Sequence, residues 1–124
     1  MSNLFLNLFR DKDTIGLAPG QSVFMAGDRG REMYIVVEGE VDILDGTNLL
    51  ETASAGSIVG ELALIDDEPR SASAVARTDC KLVAVDRKRF QYMVQETPLF
   101  ALSVMKVLAD RLRKKNARNR SLAV

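Results

Sequence analysis

Two charged side chains in one short stretch have the types and spacing to do chemistry: Glu61 and Arg70, in Gly60-Glu61-Leu62-Ala63-Leu64-Ile65-Asp66-Asp67-Glu68-Pro69-Arg70-Ser71-Ala72-Ser73. Leu62, Ala63, Leu64 and Ile65 anchor the segment in an apolar surround, where Glu61, Arg70 and Ser71 are costly unless something satisfies them. Gly60 lets the backbone approach a ligand closely, and the residues after it start a helical turn whose free N–H groups favour an anion, above all a phosphate. Arg70, ten residues on, supplies a planar fork suited to phosphate oxygens. Glu61 would repel that anion, yet a carboxylate accepts well from a hydroxyl, and ribose carries hydroxyls beside its phosphate. The pair therefore points to a nucleotide, with an internal Glu61–Arg70 salt bridge closing the loop as the competing reading.

Other chemistries are poorly supplied. The chain has no histidine, which removes the usual base of serine and cysteine hydrolases and the imidazole-ligated zinc, iron and copper sites. Cys80 is the only cysteine and sits beside Leu82 and Val83, so it reads as a small core residue and excludes an intrachain disulfide. Asp66-Asp67-Glu68 beside Pro69 reads as a solvated turn and lacks the spacing of a calcium loop. No metal and no enzymatic activity are expected.

The elements around this stretch must hold it in place. Pro19-Gly20 and Gly27-Asp28-Arg29-Gly30 are turn signals bracketing a short strand at Val23-Phe24-Met25. Met33 to Val37 is a continuous apolar run, Gly39 a bulge or tight bend, and Val41 to Leu44 a second strand ending at the hairpin signal Asp45-Gly46. Leu49-Leu50 and Thr52-Ala53 pair back, Ala55-Gly56-Ser57 turns the chain into Ile58-Val59, and Ser73 to Ala76 and Leu82 to Val85 are separated by Arg77-Thr78-Asp79-Cys80. Turn signals at this spacing predict a small barrel or roll, since the gaps leave no room for the crossover helices of a parallel sheet.

Helical patterns flank the roll. Leu4, Phe5, Leu8 and Phe9 give Met1 to Arg10 the apolar edge of a short packing helix, after which Asp11 to Asp13 break the pattern. Asp86 is an N-cap for a helix carrying Phe90, Met93 and Val94 on one face, and a second helix runs from about Pro98 to Lys115. That last helix has two apolar stripes. Phe100, Val104, Val107 and Leu108 form one; Leu102, Met105, Ala109 and Leu112 form another at heptad-like spacing and imply a second partner, with a homodimer as the expectation and coverage of both faces within one chain, by the barrel and the amino-terminal segment, as the alternative. Arg111, Arg113, Lys114, Lys115, Arg118 and Arg120 make the tail basic, which without interleaved aromatics reads as a solvated helix end.

At 124 residues the chain is the size of one domain, 1–124, with the roll at about 15–85 and the closing helices at about 86–116. Lys plus Arg and Asp plus Glu are both 17, so no global field draws in nucleic acid or an anionic membrane. The apolar runs are far too short to span a bilayer, and Met1 to Phe9 lacks the features of a signal peptide, so a cytoplasmic location is expected.

The run Gly60-Glu61-Leu62-Ala63-Leu64 followed by Pro69-Arg70-Ser71-Ala72-Ser73 resembles the phosphate-binding cassette of cyclic nucleotide-binding domains. The likeness extends through Pro19-Gly20, Val23-Phe24, Gly27-Asp28, Met33-Tyr34-Ile35-Val36, Gly39, Gly56 and the Leu82 to Phe90 segment. It implies a mainly β fold with flanking helices: a double-stranded β-helix, or β-roll of jelly-roll type, capped by one N-terminal and two C-terminal helices. It further implies that Glu61 accepts from the ribose 2′-OH and that Arg70 pairs with the exocyclic phosphate oxygens. The N–H groups of Leu62, Ala63 and Ala72 would complete the cradle that Gly60 opens, and Ser71 would touch phosphate or purine. Serine at that position, where threonine tends to favour guanine, makes cAMP the expected ligand and cGMP the competitor. Arg111 and Arg113 are candidates to cap the base. One departure stands out: where many members carry an aspartate that steadies the cassette arginine, this chain has Arg31, followed by Glu32.

The function so implied is a regulatory sensor module that binds a cyclic nucleotide and moves its C-terminal helices, with the effector in a separate protein or outside this sequence. A ligand-free structural or dimerisation module that retains the roll is the alternative.

Overall fold

The computed structural model describes residues 3–9 and 12–122, the last three of these by backbone only. Met1, Ser2, Arg10 and Asp11, and the side chain of Arg120, which entered the readings of the first helix and the basic tail, lie outside the described residues. The chain divides into two compact units, residues 1–91 and 92–124.

The first unit opens with helix α1 (Leu4–Phe9) and continues through eight strands: β1 (Ile15–Leu17), β2 (Ser22–Phe24), β3 (Glu32–Glu38), β4 (Val41–Asp45), β5 (Asn48–Ala53), β6 (Ile58–Val59), β7 (Ser73–Ala76) and β8 (Cys80–Asp86). A 3₁₀ turn, Glu61–Leu64, lies between β6 and β7. The strands form two four-stranded sheets, ordered β1-β8-β3-β6 and β2-β7-β4-β5, with every pairing antiparallel. This is the β-roll expected from the turn spacing. A shared core of Val36, Val41, Ala53, Val59, Ala74, Ala76, Cys80 and Leu82 is buried between them, with Leu17, Val23, Phe24, Tyr34 and Ile43 packed at its margin.

Each element follows from its residues. β3 is a run of aromatic and β-branched residues flanked by β6 and β8, and Met33, Ile35 and Val36 are fully buried. α1 packs against β3 through buried Phe5 and Phe9. Asn3 fixes its entry: its Oδ1 accepts from the Leu6 N–H at 3.1 Å while its Nδ2 donates to the Gly56 carbonyl at 2.9 Å. The Asp45-Gly46 signal is the β4–β5 hairpin, with Asp45 opposite Asn48 across a two-residue loop. Gly39 follows a register shift between Val36 and Glu38 and has φ +88°. A Cβ there would meet the Asp79 carbonyl oxygen at 2.1 Å, so both conformation and space require glycine.

Two strand boundaries differ from expectation. β1 carried no strand signal, because Ile15-Gly16-Leu17 is too short to show alternation and includes a glycine; its partner β8 defines it. β8 begins at Cys80, which pairs with Leu17, so the link after β7 is shorter than the sequence suggested. Cys80 is buried, with its thiol 3.1 Å from the Glu40 carbonyl and 3.2 Å from that of Thr78.

Helix α2 (Arg87–Glu96) starts where expected, its Asp86 cap accepting from the Arg89 N–H at 2.8 Å. Helix α3 (Pro98–Leu122) begins at Pro98, a residue suited to a first helical position, and runs about two turns past Lys115. Within the second unit, Phe100 and Val104 are buried, while Leu102, Met105 and Leu112 are each nearly 60% exposed at 58%, 58% and 59%. No helix among the described residues is long and apolar enough to cross a membrane.

Candidate functional site

The 3₁₀ turn hangs from β6, a two-residue strand whose Ile58 and Val59 are fully buried, and Gly60 makes the corner. Gly60 has φ +77°, a conformation that side-chain-bearing residues resist. It is also hemmed in: a Cβ would lie 2.5 Å from Arg70 Nη1 and 2.9 Å from the Phe24 ring. After it, Glu61, Ala63 and Leu64 turn inward and are buried, whereas Leu62 is 45% exposed. The Ala63 N–H reaches back to the Gly60 carbonyl at 3.3 Å, and the Ile65 N–H donates to the Leu62 carbonyl at 3.0 Å.

Arg70 arrives at the same corner from the other end of the loop. Its backbone is locked to the Gly27-Asp28 turn, donating its N–H to the Asp28 carbonyl and accepting from the Gly27 N–H, both at 2.8 Å. Its side chain is buried at 8% exposure, with Nη1 donating to the Gly60 carbonyl at 2.9 Å and Nη2 to the Glu32 carbonyl at 2.8 Å. Nε is buried without a hydrogen-bond partner. The guanidinium carbon lies 4.0 Å from the centroid of the Phe24 ring, which neighbours Tyr34 at 6.3 Å. Burial pushes the Arg70 guanidinium below its ordinary value; Tyr34, Asp28, Glu32 and Glu61 each favour its charged form through space without reversing that direction. Burial and the Glu32 carboxylate together push the Tyr34 phenol up.

The predicted residues thus converge unevenly. Gly60, Glu61, Ala63 and Arg70 lie at one corner of the roll, where one acidic and one basic side chain, Glu61 and Arg70, are buried at 4% and 8% exposure. Ser71 is exposed and Ala72 half-buried at the entry to β7. Arg111 and Arg113 lie on α3 in the second unit, and Arg113 pairs with Asp110 at 3.3 Å. Glu32 meets Arg70 directly through its backbone carbonyl, while its carboxylate takes the Tyr34 hydroxyl at 3.4 Å and acts on the guanidinium through space. The guanidinium donates its hydrogen bonds to carbonyl oxygens, and Glu61 acts on it through space, favouring its charged form.

Three contributors were not picked out from sequence: Phe24, Gly30 and the Glu32 carbonyl. Gly30 leaves room for the guanidinium where it lies: a Cβ there would fall 2.1 Å from Arg70 Nε, so the side chain would have to shift. The Gly27-Asp28-Arg29-Gly30 signal marked a turn but not what the turn must make room for. Among the described residues, no group of three or more histidine, cysteine, aspartate or glutamate side chains is placed to hold a metal ion.

A burial-strained arginine beside a glycine-initiated turn and a buried carboxylate is an arrangement suited to an anion bearing hydroxyls. Comparison with known proteins agrees with it. The model of the cyclic nucleotide-binding domain matches residues 14–97. A CRP-like cAMP-activated global transcriptional regulator of Mycobacterium tuberculosis is 34% identical over 102 residues, covering 78% of this chain and 46% of that protein. A cAMP-dependent protein kinase regulatory subunit of Eremothecium gossypii is 43% identical over 75 residues, covering 60% of this chain and 16% of that one. The crystal structure of the Thermus thermophilus catabolite activator protein superposes with a TM-score of 0.78 at 30% identity, covering 90% of this chain and 55% of the other. The chain therefore spans about half the length of the bacterial relatives it matches and less of the kinase subunit. With its roll, its cassette and more than half of its length matched, the chain belongs to the cyclic nucleotide-binding domain family.

Proposed function

We propose that residues 1–124 act as one regulatory module that binds cAMP in preference to cGMP at the corner between β6 and β7. The observation that carries this reading is Arg70: a buried guanidinium resting on two carbonyls, with Nε unpartnered and burial opposing its charge. A cyclic phosphate brings the anion that would offset this cost. Glu61 accepts from the ribose 2′-OH, the turn from Gly60 through Leu62 and Ala63 and the start of β7 at Ser71 and Ala72 frame the phosphate, and Arg111 or Arg113 caps the base. Support for cAMP over cGMP comes from Ser71 and from the relatives whose names specify cAMP.

Signalling follows if the ligand favours one pose of the closing helices over another. In this reading α3 moves with the closing helices and also carries the pairing surface. Its exposed stripe is the surface through which a second copy of the chain pairs. Leu102, Met105, Ala109 and Leu112 repeat at three- and four-residue steps, and Asn116 occupies the next place in the series, where a polar residue fixes register in paired helices. The flanking cations Lys106 and Arg113 are both engaged by Asp110 within the same helix, which lessens their opposition to self-pairing.

Isothermal titration with cAMP and cGMP tests the reading. Saturable binding, tighter for cAMP, is expected; no binding of either at millimolar concentration would leave a ligand-free structural or dimerisation module as the function.

A further inference from the structure

Arg31 stands where many family members supply an acidic partner for the cassette arginine, yet Arg70 occupies a defined position. Its two bonds to carbonyls fix the tips of the fork. Neither carries the formal charge of a carboxylate, and neither touches the face of the guanidinium or its Nε. That plane lies over the Phe24 ring at 4.0 Å. It is also pressed so closely by Gly30 that a Cβ there would come within 2.3 Å of Nε, Cζ and Nη2 alike. Phe24 in turn touches the Gly60 corner, where a Cβ would meet its ring at 2.9 Å, so one aromatic side chain contacts both ends of the loop.

We propose that Phe24 is a positioning residue for Arg70: its ring face, with Gly30 alongside, forms a slot that fixes the guanidinium in the attitude that receives the ligand's anion. An aromatic face does this differently from a carboxylate. It attracts the cation through its quadrupole, strongly when water is excluded, but adds no negative charge to compete with an incoming phosphate. The slot therefore orients Arg70 while leaving its charge for the ligand, and the unpartnered Nε and the direction in which burial moves this group fit that division of labour. The inference rests on the cyclic nucleotide reading for its ligand, but the slot is a property of the ligand-free protein.

The test has a ligand-free and a ligand-bound part. In the ligand-free protein, the Arg70 Nε–H resonance should be ring-shifted and distinct, and should move toward the ordinary arginine position in Phe24→Leu. In titrations with cAMP, Phe24→Leu should bind about tenfold more weakly than the parent at a nearly unchanged melting temperature, and Phe24→Tyr should restore most of the affinity. In the Arg70→Ala background, Phe24→Leu should cost little more, because the residue acts through Arg70. Phe24→Met serves in place of Phe24→Leu should the latter fail to fold. Parent-like binding by Phe24→Leu, an equal loss in both backgrounds, or an Nε–H resonance indifferent to residue 24 would overturn the proposal. A parent with the shifted resonance but no affinity for cyclic nucleotides would support the slot and contradict the ligand reading instead.

Discussion

Arg70 and Glu61 are the two residues on which the account turns, and each makes a separable prediction. Both are buried, and Arg70 is held by carbonyl oxygens and an aromatic face. In the proposed site Glu61 has the narrower role, because only a ligand bearing a 2′-hydroxyl would use it. The parent should therefore bind cAMP more tightly than 2′-deoxy-cAMP by about 1.5–3 kcal/mol, the range for a hydrogen bond to a charged group, and Glu61→Gln should lose much of that preference. Competition titrations with the two nucleotides measure it. An undiminished preference in Glu61→Gln would place the ribose elsewhere. Sequence alone made this pair visible because an acid and an arginine bracketing a glycine-led apolar turn are costly without a ligand. It could not show what holds Arg70, since Phe24, Gly30 and Glu32 are distant in the chain and converge only once β2, the following turn and β3 are folded.

At the scale of elements, the roll depends on a glycine at its β3–β4 bend, and α3 carries an exposed apolar face. Gly39 joins β3 to β4 with a positive φ and no room for a side chain beside Asp79. Gly39→Ala should destabilise the roll by at least about 1–3 kcal/mol in urea denaturation, and a neutral result would show that the β3–β4 bend relaxes freely. On α3, Leu112→Lys alters a residue 59% exposed within the chain, so it should leave folding intact while converting a dimer to a monomer in sedimentation equilibrium. A parent that is already monomeric at high concentration would contradict the pairing. Most elements were legible: β3, the β4–β5 hairpin, the Asp86 cap and the Pro98 helix start each announced themselves by run, turn residue or cap. β1 and the true start of β8 were not, because three residues carry no period and their pairing is set by tertiary contact. The length of α3 beyond Lys115 was hidden by a polar, basic stretch that helix propensity tolerates but does not mark.

For the whole molecule, the coupling between cradle and closing helices is the functional question. A ligand that binds only the folded form should stabilise it by about 2.7 kcal/mol at a hundredfold excess over its dissociation constant, raising the melting temperature by several degrees. A larger rise with cAMP than with cGMP at equal concentration is expected in differential scanning fluorimetry. If ligand also re-poses α3, spin labels placed one in each unit should change their separation on saturation, and an unchanged distance would limit the module to binding without that movement. Whether Arg70 pairs with a cyclic phosphate is decided by calorimetric titration of the parent and Arg70→Ala with cAMP. Saturable binding by the parent is expected, with a loss of about 2–5 kcal/mol in the variant and the fold retained; equal affinities for the two proteins would place the phosphate away from Arg70.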